Sequence, residues 1–386
     1  MMNVKRLSEL RVLIAHDWLV SWGGAERCVE QMLAVLPQAD VVVAVRGPQV
    51  ASLGTAMARR ARESWLGRLP CARTHFRWMV PLEALAFATL DAQGYDLVVS
   101  SSHSFAKAIA APRGATHVSY CYSPPRYLWD QRRQYGRYAT RVQRVALSAG
   151  TLALRRLDLW AARRVDHFVA ISSLVADRIR RTYARTSRIV YPPVEGAGTA
   201  PRRQRGDYVL YLGRLVPYKR VDLAIEASRR LGVRLLVAGA GPERGRLEAM
   251  AGPNVAFLGW VSDAEGQRLL AECRAFVFCA EEDFGIAPVE ANAHGAPVVG
   301  YGKGGLAETM VDGVTSVLFR EQTADAVTGA LESALGRHWD QEAMVANAAR
   351  FSPSHFRAGF AAALEAALNG QDGGASGAPV CTPTRA

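Results

Sequence analysis

Two glutamates stand eight residues apart in the segment AEEDFGIAPVEANAHGAPVV. Glu282 follows the apolar run AFVFC, and Glu290 lies on the helix that the next residues predict. Carboxylates at these points can accept hydrogen bonds from vicinal hydroxyls, which favours a sugar nucleotide over an inorganic anion. Backbone amides at the predicted start of the helix suit sugar or phosphate oxygens, namely those of Phe284, Gly285 and Ile286. The alternative is that Glu282 is an N-cap and Glu290 a solvated helical residue.

A second candidate group is cationic. In YLGRLVPYKRVD, Gly213 ends a predicted strand, and Arg214 and Lys219 follow on the loop before the helical run VDLAIEA. Ligands of wound α/β sheets bind at the carboxyl ends of the strands, so two cations on such a loop suit a diphosphate. The alternative is a pair of solvated loop charges.

Two glycine-rich turns are further candidates. Gly23 and Gly24 in HDWLVSWGGAE separate the first predicted strand from a helix, where free amides favour phosphate. In VAGAGPERGRLE, Gly239, Gly241 and Gly245 have the spacing of a dinucleotide fingerprint. No clear acidic residue ends a strand about 20 residues further on, as that fingerprint requires. A tight strand-to-helix turn is therefore the favoured interpretation of the second segment.

The elements that must position these residues are short β-branched runs separated by helical patterns, which predict parallel sheets wound with helices. Predicted strands cover 11–16, 41–45, 96–100, 117–121 and 167–171, then 207–213, 233–238, 255–259, 275–279, 297–300 and 315–318. A stretch rich in Pro, Gly, Ala and Arg predicts a linker at 196–206. Two doubly wound α/β domains follow, 1–195 and 207–352, with a helix over 353–370 and a disordered tail at 371–386.

The distribution of charge points to an anionic partner for the first half of the chain. The first 200 residues hold 28 Lys and Arg against 14 Asp and Glu, and the remainder holds 19 against 21. Residues 131–188 alone carry 14 arginines. These arginines form either a solvated face of a structural helix or an interfacial surface. With 49% hydrophobic residues in 386, disordered, collagenous and coiled-coil classes are excluded.

The cysteines and the apolar segments indicate the cellular compartment of the protein. The six cysteines form no C-x-x-C pair and lie mostly in apolar runs, which indicates buried thiols in a reducing cytoplasm. The N-terminus lacks an apolar core of signal length, and no apolar stretch approaches the ~20 residues of a spanning helix. We therefore expect a cytoplasmic protein with at most peripheral membrane contact.

In this order, the motifs GGAE, LGRLVPYKRVD, GAGPE, LGW, EEDFGIAPVEANAHGAPVV and GGLAE resemble those of retaining GT-B glycosyltransferases of family 4. The resemblance spans 11–310 and is most specific in the second half. It implies two Rossmann-like domains with a cleft between them, the first binding the acceptor and the second the nucleotide sugar. It also implies that the C-terminal helix crosses back onto the first domain. The phrase YCYSPPRYLWD is similar to a subgroup that makes bacterial surface polysaccharides, and mannose is the sugar that we expect the donor to carry.

The resemblance also implies roles for the candidate residues. Arg214 and Lys219 would neutralise the donor diphosphate, Glu282 would hold hydroxyls of the donor sugar, and Glu290 would bind the ribose. The donor-binding set would include the backbone at Gly23, Gly24, Gly213, Gly241, Phe284, Gly285 and Ile286.

Many family members carry a histidine, thought to contact the donor sugar, where this chain has Tyr122. Either Tyr122 takes that position or His103, in SSHSFAKAI after the preceding predicted strand, supplies the imidazole. His103 can equally be a loop histidine without a role.

The chemistry expected of such a site is departure of a nucleoside diphosphate, stabilised by fixed cations. The chain contains no D-x-D triplet, so we expect no metal and no other cofactor. In this family the departing phosphate is thought to take the acceptor's proton, so no protein nucleophile is expected. The expected partners are a nucleotide-sugar donor, a lipid-linked or oligosaccharide acceptor and the anionic inner face of the cell membrane.

Other functions remain as alternatives. A sugar-nucleotide epimerase or a phosphorylase would share the fold, and a phosphorylase would need a pyridoxal lysine. An NAD-dependent oxidoreductase would use GAGPERG as its fingerprint. A nucleic-acid binder would rest on the pI near 9.7, but aromatic residues do not interleave the arginine run. We expect no nucleic-acid partner.

Overall fold

A computed structural model of the chain describes residues 7–50, 54–129, 141–196 and 205–370. For residues 77 and 141–149 it describes the backbone alone. The predicted disordered tail and the start of the arginine-rich stretch lie outside these residues. The chain divides into two compact units, and the first contains residues up to Tyr191 together with those from Phe356 onward. The second unit is Pro192–His355.

The first unit is built on a sheet whose described strands all pair in parallel, in the order β3-β2-β1-β4-β5-β6-β7. The strands are β1 Val12–His16, β2 Asp40–Val43, β3 Ala61–Glu63, β4 Leu97–Ser102, β5 Thr116–Cys121, β6 His167–Ala170 and β7 Ser187–Ile189. The central strands β1 and β4 are buried along their whole length, because helices cover both faces.

The second unit repeats this architecture with the order β10-β9-β8-β11-β12-β13, again all parallel. Its strands are β8 Tyr208–Leu212, β9 Arg234–Ala238, β10 Val255–Gly259, β11 Ala275–Phe278, β12 Val298–Tyr301 and β13 Ser316–Phe319. The two parallel α/β sheets confirm the predicted fold class.

Helices connect the strands in both units. Those of the first unit are α1 Gly24–Val35, α2 Ala56–Arg60, α3 Ala72–His75, α4 Val80–Ala88, α5 Arg126–Trp129, α6 Arg141–Ala162 and α7 Ser173–Tyr183. The second unit has α8 Val221–Leu231, α9 Arg244–Met250, α10 Asp263–Glu272, α11 Ile286–Ala293, α12 Leu306–Thr309, α13 Ala324–Leu335 and α14 Gln341–Ala349. Single 3₁₀ turns occur at Leu7–Glu9, Pro48–Val50, Trp65–Arg68, Phe76–Trp78, Ala106–Ala108 and Pro217–Lys219.

The last helix, α15 (Pro353–Leu368), contributes aromatic side chains to the core of the first unit. Phe356 and Phe360 stack on each other with ring centroids 5.7 Å apart, and both meet the buried ring of Tyr120 edge-on. Arg357 also donates to Gln31 Oε1 at 2.5 Å. Residues from the far end of the sequence thus complete the packing of the first sheet.

The arginine-rich stretch is divided among several elements, and many of its side chains bind the protein itself. Arg155 donates to the carbonyl of Leu128 at 2.8 Å, and its guanidinium lies 4.7 Å from the centroid of the Trp129 ring. Arg164 donates to the Ala108 carbonyl at 3.1 Å. These arginines have structural roles within the first unit.

Candidate active site

In each sheet, the strand order reverses at the first strand, because the chain continues to one side of that strand and later returns to its other side. From β1 the chain passes first to β2 on one side and later to β4 on the other, and β8 lies in the same way between β9 and β11. The loops that follow two such neighbouring strands run to opposite sides, so a crevice forms at the carboxyl ends of the strands. Ligands of this architecture bind in that crevice. The candidate residues gather at these two places, one in each unit.

In the second unit, Lys219 and Glu282 meet at the crevice between β8 and β11. The Lys219 ammonium forms an ion pair with Glu282 Oε1. The lysine side chain is 12% exposed and that of Glu282 is 23% exposed. The ammonium also lies 5.2 Å from the ring centroid of Phe278 and 5.7 Å from that of Tyr218. The cation is therefore held in one place by a carboxylate and two aromatic rings.

Arg214 occupies the same loop but is exposed. Its Nη2 donates to the hydroxyl of Tyr218 at 3.3 Å, and its carbonyl accepts from the hydroxyl of Tyr211 at 3.0 Å. Gly213 directly follows β8 and donates its amide to the Ala238 carbonyl at 3.0 Å. The loop backbone is fixed while the guanidinium reaches solvent, as a residue that meets a diphosphate requires.

Helix α11 begins beside Glu282. Its N-cap is Gly285, whose φ of 87° lies in the left-handed region that glycine tolerates best. Pro288 falls in the first helical turn, where the missing N–H costs no hydrogen bond. Glu290 follows one turn later and is 9% exposed. The N-cap alternative for Glu282 and the solvated alternative for Glu290 are therefore both wrong.

Close glycine packing holds the loop between Glu282 and α11. A Cβ on Gly305 would lie 2.3 Å from the Phe284 Cα, and one on Gly304 would lie 2.4 Å from the Glu282 carbonyl oxygen. The Gly305 amide donates to that carbonyl at 2.7 Å, and the Phe284 ring is buried against Phe351. The GGLAE motif thus sets the position of the EEDFG loop.

The other glycine pattern has a packing explanation. A Cβ on Gly239 would lie 1.9 Å from the Gly213 carbonyl oxygen, and one on Gly241 would lie 2.2 Å from that of Leu215. The turn after β9 therefore needs these glycines to lie against the loop after β8. A tight turn accounts for GAGPERG, which was the favoured interpretation. Gly241 packs against the backbone of Leu215, the residue after Arg214.

In the first unit, Asp17 is the centre of the site, and the sequence analysis did not select it. This carboxylate follows β1, is fully buried and lies beside the loop after β4. Its oxygens accept hydrogen bonds at 2.6–3.1 Å from the amides of His103, Ser104 and Ala106 and from the Ser102 hydroxyl. A sequence signal existed: a carboxylate directly after a buried central strand stands at the ligand-binding edge.

The imidazole of His103 joins the same carboxylate. Its Nδ1 lies 3.0 Å from Asp17 Oδ2, and the side chain is 39% exposed. Burial opposes the charge on both groups, but their attraction and hydrogen bonding outweigh it, so the pKa of Asp17 is lowered and that of His103 is raised. Because Nδ1 is engaged, Nε2 is the nitrogen left to meet a ligand.

Tyr122 is engaged differently. Its hydroxyl lies 2.9 Å from the Ala25 carbonyl, which can only accept, so the phenol donates there. Ser101 Oγ, 2.8 Å away, must then donate to Tyr122, and it accepts in turn from Nδ1 of His16 at 3.0 Å. The phenolic hydrogen is thus committed to the protein, and burial raises the pKa of Tyr122 well above its ordinary value.

Gly23 is the N-cap of helix α1 and Gly24 is its first residue. Glu26, in the first turn, is 6% exposed, and its Oε1 lies 3.8 Å from Nε2 of His16. Burial raises the pKa of Glu26, but the neighbouring His16 outweighs this effect and the pKa is lowered. A Cβ on Gly23 would lie 3.3 Å from the other Glu26 oxygen. The glycine turn therefore lies directly against the Glu26 carboxylate, whose other oxygen is close to His16.

A second buried polar cluster supports this loop from behind. The Lys107 ammonium is 2.8 Å from Asp158 Oδ1, and both side chains are almost fully buried. Asp158 also accepts from the indole of Trp129 at 2.8 Å. Lys107 and Asp158 were not predicted, because partners 51 residues apart leave no local pattern.

Two features of the described residues concern metal binding and membranes. Within these ranges, no group of three or more His, Cys, Asp and Glu side chains is arranged to hold a metal ion. None of the helices described is long and apolar enough to span a bilayer.

The fold is shared with known proteins. The crystal structure of Anabaena Alr3699/HepE in complex with UDP and glucose matches 92% of this chain and 100% of that chain. The TM-score is 0.67 at 17% sequence identity. The chain has the two Rossmann-like units of the GT-B fold, as predicted.

Sequence comparison defines the class further. Residues 22–195 match the family model described as Glycosyltransferase Family 4, and residues 200–351 match the one described as Glycosyl transferases group 1. The chain thus has the GT-B fold, with a family 4 glycosyltransferase domain followed by a group 1 glycosyltransferase domain.

Curated relatives match part of the chain. A D-inositol 3-phosphate glycosyltransferase of Mycobacteroides abscessus is 31% identical over 211 residues, 46% of this chain and 47% of that protein. A glycogen synthase of Pseudomonas aeruginosa is 31% identical over 144 residues, 34% of this chain and 27% of that protein. The chain thus spans about half or less of the length of these relatives.

Proposed function

We propose that this glycosyltransferase is retaining and transfers a hexose from a nucleoside-diphosphate sugar to a lipid-linked or polysaccharide acceptor. Mannose is the proposed sugar, and synthesis of surface polysaccharide at the inner face of the cell membrane is the proposed setting. The observation that carries the proposal is the meeting of Lys219 and Glu282 at the second sheet's crevice, beside the start of α11. The UDP and glucose bound to the Anabaena protein support a nucleotide-sugar donor.

The donor is proposed to bind on the second unit. Lys219 has three ammonium hydrogens and uses one for Glu282, so two remain for diphosphate oxygens. Arg214 adds an exposed guanidinium on the same loop. As the anomeric C–O bond breaks, negative charge grows on the diphosphate, and fixed cations stabilise it most in the transition state. These cations supply the positive charge, so the proposal includes no metal or other cofactor.

The two glutamates are proposed to bind different parts of the donor, the sugar and the ribose. The Glu282 oxygen that does not pair with Lys219 is proposed to accept from the sugar hydroxyls, and Glu290 from the ribose. Amides at the start of α11, from Phe284 to Ile286, are proposed to meet sugar or phosphate oxygens. Glu282 thereby couples sugar binding to the position of the cation that stabilises the leaving group.

Between His103 and Tyr122, we favour His103 as the first unit's contact with the reacting groups. The phenolic hydrogen of Tyr122 is committed to Ala25, whereas His103 keeps Nε2 available on a part-exposed ring. With Asp17 fixing the ring, Nε2–H is directed as a hydrogen-bond donor towards an acceptor or phosphate oxygen. The acceptor proton itself is proposed to leave with the departing phosphate.

The test is a panel of GDP- and UDP-linked sugars with a polyprenyl-diphosphate saccharide as acceptor. We expect nucleoside diphosphate release with GDP-mannose, and a product whose anomeric configuration, read by NMR, equals that of the donor. An inverted linkage would refute retention. Conversion of the sugar nucleotide without transfer would support the epimerase alternative, and no turnover of any donor would contradict the proposed reaction.

A further inference from the structure

An exposed apolar row lies on the first unit. Trp78 is 84% exposed, and Leu82 and Leu85 on α4 are 38% and 50% exposed. Leu82 and Leu85 are three positions apart and so share one face of α4, and Trp78 ends the 3₁₀ turn that precedes this helix. Beside them lies the 3₁₀ turn Trp65–Arg68, which contacts α4. We call Trp65, Leu69, Trp78, Leu82 and Leu85 together the Trp78 face.

The turn and the helix are joined by a side-chain hydrogen bond. The indole Nε1 of Trp65 donates to Thr89 Oγ1 at 3.1 Å, and Thr89 is one turn beyond Leu85. Trp65 is 37% exposed, as is Leu69, which follows the turn. The Trp78 face therefore extends across two elements rather than along one helix alone.

Two exposed arginines border the Trp78 face, and the segment that forms the face contains little negative charge. From Ser64 to Leu90 the sequence contains one carboxylate, Glu83, and this side chain is 1% exposed. Burial also raises the pKa of Glu83 well above its ordinary value, which disfavours a negative charge on this buried side chain. Arg68 and Arg73 are exposed at the border, and Arg73 lies 3.4 Å from Glu63.

The opposite side of the same elements is bonded to the candidate active site. Glu83 Oε2 accepts from the hydroxyl of Ser104, whose amide donates to Asp17. Phe76, at the start of the 3₁₀ turn that ends in Trp78, lies 5.0 Å from the ring of Trp18. Trp18 in turn lies 4.8 Å from the ring of His103. Two short connections thus join the exposed row to the site.

We propose that the Trp78 face docks on an anionic bilayer. Tryptophan and leucine side chains enter the boundary between headgroups and acyl chains, and arginines at the rim pair with anionic headgroups. A lipid surface fits this combination of an apolar centre and a border with exposed arginines, of which Arg73 also pairs with Glu63. Docking through this face places the His103 loop next to the membrane. The presentation of a lipid-linked acceptor to this loop rests on the proposed function.

Cys71 provides a direct probe, because it is exposed between Leu69 and α3, whereas the four other described cysteines are buried. The probe is a polarity-sensitive dye attached to Cys71 in full-length protein carrying Cys381→Ser. Vesicles of phosphatidylcholine with phosphatidylglycerol should shift its emission to the blue, with a weaker shift in high salt. An unchanged spectrum with vesicles that the protein nonetheless binds would overturn the proposal.

Variants separate this face from the rest of the surface. Trp78→Ser and Leu85→Ser each remove an exposed side chain and should each weaken vesicle binding roughly tenfold in a flotation assay. Trp260→Ser is the matched control, because Trp260 is 79% exposed in the second unit, and binding should not change. Equal binding by Trp78→Ser and wild type, or a Trp78→Ser effect on oligomeric state alone in sedimentation, would contradict the proposal and indicate a protein-binding face.

Failure of the membrane proposal and failure of the proposed function give different results. Trp78→Ser should retain turnover of a short water-soluble acceptor and lose turnover of the lipid-linked acceptor in vesicles. If wild type turns over no donor with either acceptor, the proposed reaction fails, while the flotation and dye results still decide the membrane question. If Trp78→Ser transfers to both acceptors as wild type does, the docking proposal fails alone.

Discussion

The carboxylate of Glu282 can be tested by a substitution that keeps the shape of the side chain. Its carboxylate holds the Lys219 ammonium and, in the proposed reaction, accepts from the donor sugar. Glu282→Gln keeps the shape but removes the charge, so both the cation's position and the hydroxyl contact are weakened. We expect kcat to fall by about 10²- to 10³-fold.

The matched control for this prediction is the neighbouring carboxylate. Glu281→Gln makes the same change one residue earlier, on an exposed side chain. Its kcat should stay within about twofold of wild type. Equal losses in the two variants would show that Glu282 has no special role.

Asp17 controls the charge of His103. In Asp17→Asn the opposing charge is gone and burial remains, so the pKa of His103 should move from above its ordinary value of 6.5 to below it. The measurement is an NMR titration of the His103 ring. His117 serves as an internal reference, because burial lowers its pKa to about 4 independently of Asp17. An unchanged His103 midpoint in Asp17→Asn would contradict the pairing.

The same pair predicts how stability depends on pH. The lowered pKa of Asp17 gives stability above its unfolded value of 3.8, and this is lost as the pH falls through the folded pKa. The raised pKa of His103 gives stability that is complete below 6.5 and lost as the pH rises through the folded pKa. Urea unfolding should show that Asp17→Asn costs more at about pH 5 than at about pH 9.

Sequence patterns selected more of the candidate-site residues of the second unit than of the first. Lys219, Glu282 and Glu290 belong to local motifs of a strand, a loop and a helix start. Asp17 joins residues more than 80 positions away, and in the sequence it only interrupts an apolar run. Long-range pairing of buried charges has no period that a sequence can display.

At the scale of elements, glycines determine how closely the loops of the second unit approach. Gly305→Ala would place a Cβ 2.3 Å from the Phe284 Cα, so the EEDFG loop must move. We expect a loss of about 1–3 kcal/mol in the free energy of unfolding and a lower affinity for nucleoside diphosphate. Urea unfolding and calorimetric titration measure these two quantities.

A glycine with open space provides the comparison. Gly329 lies within α13, where a Cβ would meet nothing within 4 Å. Gly329→Ala should therefore stabilise the protein by up to about 1 kcal/mol, because alanine favours the helix. Destabilisation by both substitutions to a similar extent would contradict the packing explanation.

The elements themselves were largely predictable, with instructive exceptions. All eleven predicted strands are present, because continuous apolar runs are typical of parallel strands covered on both faces. The edge strands β3 (ARE) and β7 (SRI) were missed. Each has three residues with an exposed arginine at the centre, so no apolar pattern marks it.

At the scale of the whole molecule, the packing of α15 predicts which unit each phenylalanine stabilises. Phe356→Ala removes a buried ring from the first unit and should cost about 3–5 kcal/mol there. Phe351→Ala removes a ring of equal size from the second unit, five positions earlier. If thermal unfolding shows two transitions, Phe356→Ala should lower one and Phe351→Ala the other. A shift of the same transition by both variants would contradict the division.

The central claim is that the crevice of the second sheet binds the donor diphosphate, and hydrogen exchange with and without a nucleoside diphosphate tests it most directly. Mass spectrometry of peptides from the full chain, labelled before digestion, should show slower exchange in those covering 211–222 and 280–294. These peptides carry Arg214, Lys219 and the start of α11. Protection centred instead on the glycine turn at 239–245, or no protection in either peptide at saturating ligand, would contradict the account.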